Sequence, residues 1–170
     1  GDRNTVQERP DVLTYSTPIL NDDLEVTGPI TAKIYASSSA PDTDFYVILV
    51  DVYPDGHTQY LTQGQLRARY RNGMESPQLL NAGEIVELDI VIQSTSNVFQ
   101  KGHRLRIEIT SSDYSRHARN QNVEDEEGVT ANTAVAQNKI HHTEVHQSYI
   151  MLPIIPTQSD TPSELSLIHI

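Results

Sequence analysis

The sequence predicts an all-β protein, an antiparallel sandwich or barrel. Three observations carry this. Apolar and polar residues alternate with a period of two in several segments. Turn residues separate those segments. No window shows the length and 3.6-residue period of a long amphipathic helix.

The elements follow in chain order. Residues 12–15 and 24–26 are short strand candidates, and Thr27-Gly28-Pro29 is the turn before the next. In 30–37, Ile30, Ala32, Ile34 and Ala36 share one face. Residues 44–52 are almost continuously apolar and rich in β-branched and aromatic side chains, which predicts a strand covered on both faces. Pro54-Asp55-Gly56 has the chemistry of a hairpin turn. Strands over 58–61 and 65–70 come next, and 74–80 reads as one short turn of helix. Asn81-Ala82-Gly83 leads into 84–93, where Val86, Leu88, Ile90 and Ile92 point one way and Glu87 and Asp89 the other. Gln100-Lys101-Gly102 leads into 104–111, with Leu105, Ile107 and Ile109 inward and Arg104, Arg106 and Glu108 on the wet face. The polar stretch 111–133 reads as a long loop, of the kind that tends to be functional or disordered. Residues 134–140 and 147–152 are weaker strand candidates. The expected domain covers 1–156, and 157–170 is expected to be a tail outside the core.

The chain has 170 residues, enough for one domain with a sizeable core. Its 12 Lys and Arg against 23 Asp and Glu give a net charge of −11. That balance argues against nucleic acid and against a polybasic membrane contact. There is no cysteine, which excludes disulfides, thiol catalysis and thiolate metal sites. No apolar run is long enough to span a membrane as a helix. The expected location is soluble and cytoplasmic. The first residue is Gly1 rather than Met, which predicts a fragment or processed chain.

Catalytic motifs are missing. No glycine precedes a serine by two positions, so no nucleophile elbow exists, and no H-E-x-x-H, P-loop or G-x-G-x-x-G occurs. Asp42-Thr43-Asp44 resembles the start of a calcium loop, but Tyr46 stands where the third ligand is needed. His142 and His146 would share one face of a strand and could bind a metal; the bland alternative is an exposed edge strand. Arg67, Arg69 and Arg71 alternate with Leu66, Ala68 and Tyr70. They are either a cationic stripe for an acidic partner or a solvated strand face. The loop 111–122 holds Ser, Asp and His close in sequence, which by itself does not assemble a triad. No catalytic, cofactor or metal residue is assigned.

Several collinear segments carry a family resemblance. They include Glu8-Arg9-Pro10-Asp11-Val12-Leu13-Thr14-Tyr15, Ala40-Pro41-Asp42-Thr43-Asp44-Phe45 and Leu49-Val50-Asp51-Val52-Tyr53-Pro54-Asp55-Gly56. Further along are Leu66-Arg67-Ala68-Arg69-Tyr70-Arg71, Lys101-Gly102-His103-Arg104-Leu105-Arg106 and Ser111-Ser112-Asp113-Tyr114. Together they resemble the C-terminal domain of the X-Pro dipeptidyl-peptidase and cocaine esterase family of serine hydrolases. The resemblance implies a jelly-roll β-sandwich of the galactose-binding-like type. It also implies an α/β-hydrolase domain elsewhere that carries the triad. In the long loop, relatives often show Pro-Arg-Phe-Asp-Arg-Asn; Arg116, Arg119 and Asn120 match, while Ser115, His117 and Ala118 depart.

The expected function is therefore a non-catalytic accessory domain with no cofactor. Its expected partner is the α/β-hydrolase domain of the same parent chain, with a homo-oligomer as a further possibility. Candidate docking residues are Arg67, Arg69, Arg71, Ser111, Ser112, Arg116, Arg119 and Asn120. The alternative is a stand-alone carbohydrate-binding module on the same fold. The absence of Trp counts against it, since Trp is the best sugar platform.

Overall fold

A computed structural model describes residues 3–114, 116–125, 130–156 and 166–169. The chain begins with a one-turn helix, α1 (Asn4–Gln7), and the strand β1 (Val12–Ser16). The long strands β2 (Leu24–Ser38), β3 (Asp44–Val52), β4 (Thr58–Arg67), β5 (Val86–Phe99) and β6 (Arg104–Thr110) follow. Short strands β7 (Asn138–Ile140), β8 (Tyr149–Leu152), β9 (Ile154–Ile155) and β10 (Ser166–His169) complete it. The fold is all-β and antiparallel, as the alternation predicts.

Hydrogen bonding runs in the order β1-β6-β3-β4-β5-β2-β8-β10, with β7 and β9 also pairing with β2. The path bends where β4 meets β5, because one register pair, Gly64 with Ile92, joins them. The inner faces of both halves then fill one core. β6 and β3 supply Leu105, Ile107, Ile109, Phe45, Val47 and Leu49; β2, β5 and β8 supply residues such as Ile30, Ile34, Leu88, Ile90 and Ile150. Each such side chain contributes about 1.5–3 kcal/mol by leaving water.

Gly64 makes the bend possible. A Cβ there would sit 2.4 Å from the Val91 carbonyl oxygen, so only glycine lets the two backbones approach.

β3 is buried along its whole length, as its continuous apolarity predicts. Its second face, Tyr46, Ile48, Val50 and Val52, forms a separate cluster with Tyr60. The hairpin after β3 closes at Pro54-Asp55-Gly56, with Tyr53 N donating to His57 O at 2.9 Å.

Several expectations are corrected. Residues 24–26 and 30–37 are one strand, not two: the chain passes Gly28 through a bulge that shifts register between Gly28 and Ile30. Residues 58–61 and 65–67 are likewise one strand. The strand expected over 65–70 stops at Arg67, and Ala68–Tyr70 form a 3-10 turn. Ala68 N turns to the Thr43 carbonyl at 2.9 Å and Arg69 N to Asp42 Oδ1 at 3.0 Å, which draws the chain off the ladder. Residues 74–80 form no helix; Pro77 lies inside them, and Leu80 N is tied to the Pro41 carbonyl. Of 134–140, only Asn138–Ile140 pair as strand. Glu108 is on the outer face as predicted, yet it is fully buried, because the N-terminal segment covers that face.

In the expected tail, 157–165 lie outside the described residues. Ser166–His169 pair with β8 as an added strand. Among the described residues no helix is long and apolar enough to cross a membrane.

Candidate functional site

The end of β4 and the 3-10 turn after it bring Arg67 and Arg69 against the start of β3 and the residues just before it. Asp42 and Asp44 stand there, 1% and 5% exposed. Arg69, 7% exposed, donates from Nε to Asp42 Oδ2 at 2.7 Å. Arg67 forks onto Asp44, with Nε at 2.8 Å from Oδ1 and an η-nitrogen at 3.1 Å from Oδ2. Arg71 donates to the carbonyls of Ala68 at 3.1 Å and of Gln78. The expected stripe therefore does not line one strand face. Its alternation breaks at the 3-10 turn, and the charges of Arg67 and Arg69 are matched inside the domain.

The long loop lies across this hub. Asn120 Nδ2 donates to Asp42 Oδ2 at 3.0 Å and to Asp44 Oδ1 at 2.8 Å. Arg69 also donates to the carbonyls of Val123 and Asp125, at 2.9 and 3.1 Å. Asp113 accepts from Gln63 Nε2 at 2.9 Å, and its Oδ2 lies 3.0 Å from His117 Nδ1. Ser112 N donates to Thr110 Oγ1 at 3.4 Å, which starts the loop; Ser111 sits half-buried beside an apolar cleft lined by Leu13, Phe45 and Ile109.

Arg116 and Arg119 behave differently. Both are exposed and rest on tyrosine faces, Arg116 at 5.0 Å from Tyr60 and Arg119 at 5.5 Å from Tyr114. Between the loop and the hub lies a groove of about 480 Å³ lined by Asp44, Tyr46, Arg67, Tyr70, Met74 and His117.

The loop does bring Asp113 and His117 into hydrogen-bonding distance. Two groups of that kind can hold a proton, but catalysis of acyl transfer also needs a nucleophile within reach of the base. Of the serines in that stretch, Ser115 lies outside the described residues.

The His141 and His146 rings lie 6.3 Å apart, but each histidine has its own neighbour. His141 Nε2 lies 2.9 Å from Ser37 Oγ, and His142 Nε2 lies 3.0 Å from the Tyr15 hydroxyl. His146 packs its ring on Tyr35. The expected strand is a bend here, so His142 and His146 do not share a face. Among the described residues no three His, Asp or Glu gather to hold a metal. Burial lowers the pKa of His141, and the positive potential of His146, Lys139 and His142 lowers it further.

Two polar pairs were invisible to sequence reasoning. Buried His103 holds Asp51 at 2.9 Å beneath the Tyr53 ring, and buried Glu108 is held by Arg3. The partners of each are 52 and 105 residues apart, and no local pattern links them.

Comparison with known proteins places this geometry. The family model described as the X-Pro dipeptidyl-peptidase C-terminal non-catalytic domain matches residues 3–151. Cocaine esterase of a Rhodococcus strain is 45% identical over 160 residues, covering 91% of this chain and 27% of that protein. An α-amino acid ester hydrolase structure superposes with a TM-score of 0.83 at 27% identity, over 91% of this chain and 27% of that one. An aminopeptidase from a marine sediment Thaumarchaeota archaeon superposes with a TM-score of 0.82, again at 27% identity, 91% and 27% coverage. The chain thus spans about a quarter of the length of these relatives. It belongs to the X-Pro dipeptidyl-peptidase C-terminal non-catalytic domain family.

Proposed function

We propose that this chain is the accessory domain of a larger serine hydrolase of the esterase or X-Pro peptidase type. It packs on the α/β-hydrolase domain, stabilises it and helps shape the substrate pocket. The observation that carries this reading is a convergence on Tyr60. The guanidiniums of Arg3 and Arg116 lie 5.9 and 5.0 Å from its ring centroid. Arg3 belongs to the segment by which the chain arrives at the sandwich, and Arg116 to the long loop. A domain attached ahead of Arg3 is therefore delivered beside the loop. There it meets Arg116 and Arg119, neither paired with a carboxylate among the described residues. Ser111 and Ser112 set the start of that loop. Asn120, Arg67, Arg69 and Arg71 act one layer behind, holding it in shape.

We infer that the sandwich is a jelly roll of the galactose-binding-like type, a reading supported by the two halves folding over one core. Contacts between copies of the enzyme and a cytoplasmic location belong to the same proposal. A stand-alone carbohydrate-binding module is not favoured, since the family and the relatives named above are parts of hydrolases.

The test uses the full-length hydrolase carrying both Arg116→Ala and Arg119→Ala. Its esterase activity should be lost at a temperature several degrees lower than in the unsubstituted enzyme. Identical inactivation temperatures would set the docking face elsewhere.

A further inference from the structure

We propose that Arg3, Gln7 and Glu108 form a clasp that fixes the segment joining this domain to the hydrolase part, so that the two do not swing independently. The inference rests on the reading that a hydrolase domain precedes this one.

Glu108 is on the outer face of β6, opposite Ile48 in the ladder, and it is 0% exposed. A buried carboxylate costs several kcal/mol unless it is paired and hydrogen-bonded. Arg3 and Gln7 of the N-terminal segment pair with it. Arg3 donates from Nε to Oε2 at 2.8 Å and places an η-nitrogen at the same distance. Gln7 Nε2 donates to Oε1 at 2.6 Å, and Arg106 holds the Gln7 amide oxygen in turn. The Arg3 amide donates to the Thr58 carbonyl at 3.2 Å and to Thr58 Oγ1 at 3.0 Å.

Apart from the Arg3 contacts with Thr58 and Tyr60, little regular structure anchors the described part of the segment. A helix of four residues is far below the length that persists alone in water. No strand ladder ties α1 to the sheet. Yet Glu108, opposite Ile48, and Tyr60 share the side of β3 that carries Tyr46, Ile48, Val50 and Val52, so Arg3 draws the segment toward that side. The polar clasp is what holds it there, and Arg3 is itself mostly buried.

Two measurements on the full-length hydrolase test this. Trypsin can cut after Arg3, while Arg9 is followed by Pro10 and resists, so cleavage in this segment reports Arg3. Glu108→Gln keeps the shape of the side chain and removes its charge; cleavage after Arg3 should then accelerate at least about tenfold, because breaking a buried pair is costly. Gln7→Ala, which leaves the sheet untouched, should give a smaller acceleration in the same direction. Amide exchange at Val6 and Gln7 should rise in parallel while exchange in the centre of β3 stays constant. Equal cleavage with and without the substitutions overturns the clasp, and so does a matching rise throughout β3, which would mean general unfolding. The docking reading fails by a different sign: Arg116→Ala with Arg119→Ala leaving the inactivation temperature of the full-length hydrolase unchanged, with Arg3 still protected.

Discussion

Arg69 and Asp42 meet at 2.7 Å with both side chains almost wholly out of water. Asp42 also accepts the Arg69 amide and Asn120, so its carboxylate is satisfied from three directions. Removing one partner strands the other charge. Arg69→Met should therefore destabilise the domain by about 3–5 kcal/mol. Urea unfolding followed by circular dichroism reads this directly. A loss under 1 kcal/mol, on the order of an exposed pair, would show that water reaches the site.

Asn120 bridges two carboxylates through a single amide nitrogen. Asn120→Ala removes both bonds and should cost about 1–3 kcal/mol, since two buried acceptors lose a donor. Asn120→Asp should be worse at neutral pH, because it adds a third carboxylate to the same spot. The gap between the two variants should narrow as the pH falls through the carboxylate range. Melting temperatures of both, compared at neutral and acid pH, decide it.

Gly64→Ala would drive a methyl group into the Val91 carbonyl. Neither backbone can move without breaking the one rung between β4 and β5. The expected cost is about 1–3 kcal/mol or more, typical of overpacking. A thermal midpoint equal to that of the unsubstituted chain would show that the two halves tolerate separation.

His141 makes stability depend on pH. Its folded pKa lies below the ordinary 6.5, so the unfolded chain takes up the proton first. The unfolded state then binds more protons, and stability rises with pH through that window. Acidifying from 6.5 toward the lowered value should weaken the domain. In His141→Asn this part of the pH slope should flatten. Unfolding curves at a series of pH values between about 5 and 7 show whether the slope changes.

Much of the architecture is legible in sequence because strands with one buried face announce themselves by alternation. Ile30, Ala32 and Ile34, or Leu105, Ile107 and Ile109, need no tertiary information to be placed on a common face. Boundaries are another matter. Alternation stops marking the strand at Arg67 because Asp42 and Thr43, more than twenty residues earlier, offer better partners than the ladder does. The family resemblance singles out Arg116, Arg119 and Asn120 in the loop. What distinguishes them is visible only in space: Asn120 faces the hub, while Arg116 and Arg119 face solvent. Glu108 differs for a related reason. Alternation puts it on the outer face correctly, but a distant segment folds back to cover that face.

The two-sided burial of β3 bears on how the chain is made. β3 ends at Val52, and the strand that pairs with its other edge begins at Arg104. At ordinary synthesis speeds the ribosome needs about 3–10 s to cover that distance. For this interval the run Phe45-Tyr46-Val47-Ile48-Leu49-Val50 has only β4 beside it, and one edge of a strongly apolar strand lies open. Such a segment is a template for pairing with another nascent chain. Slowed translation between Val52 and Arg104 should therefore lower the yield of soluble protein more than the same delay placed after Thr110.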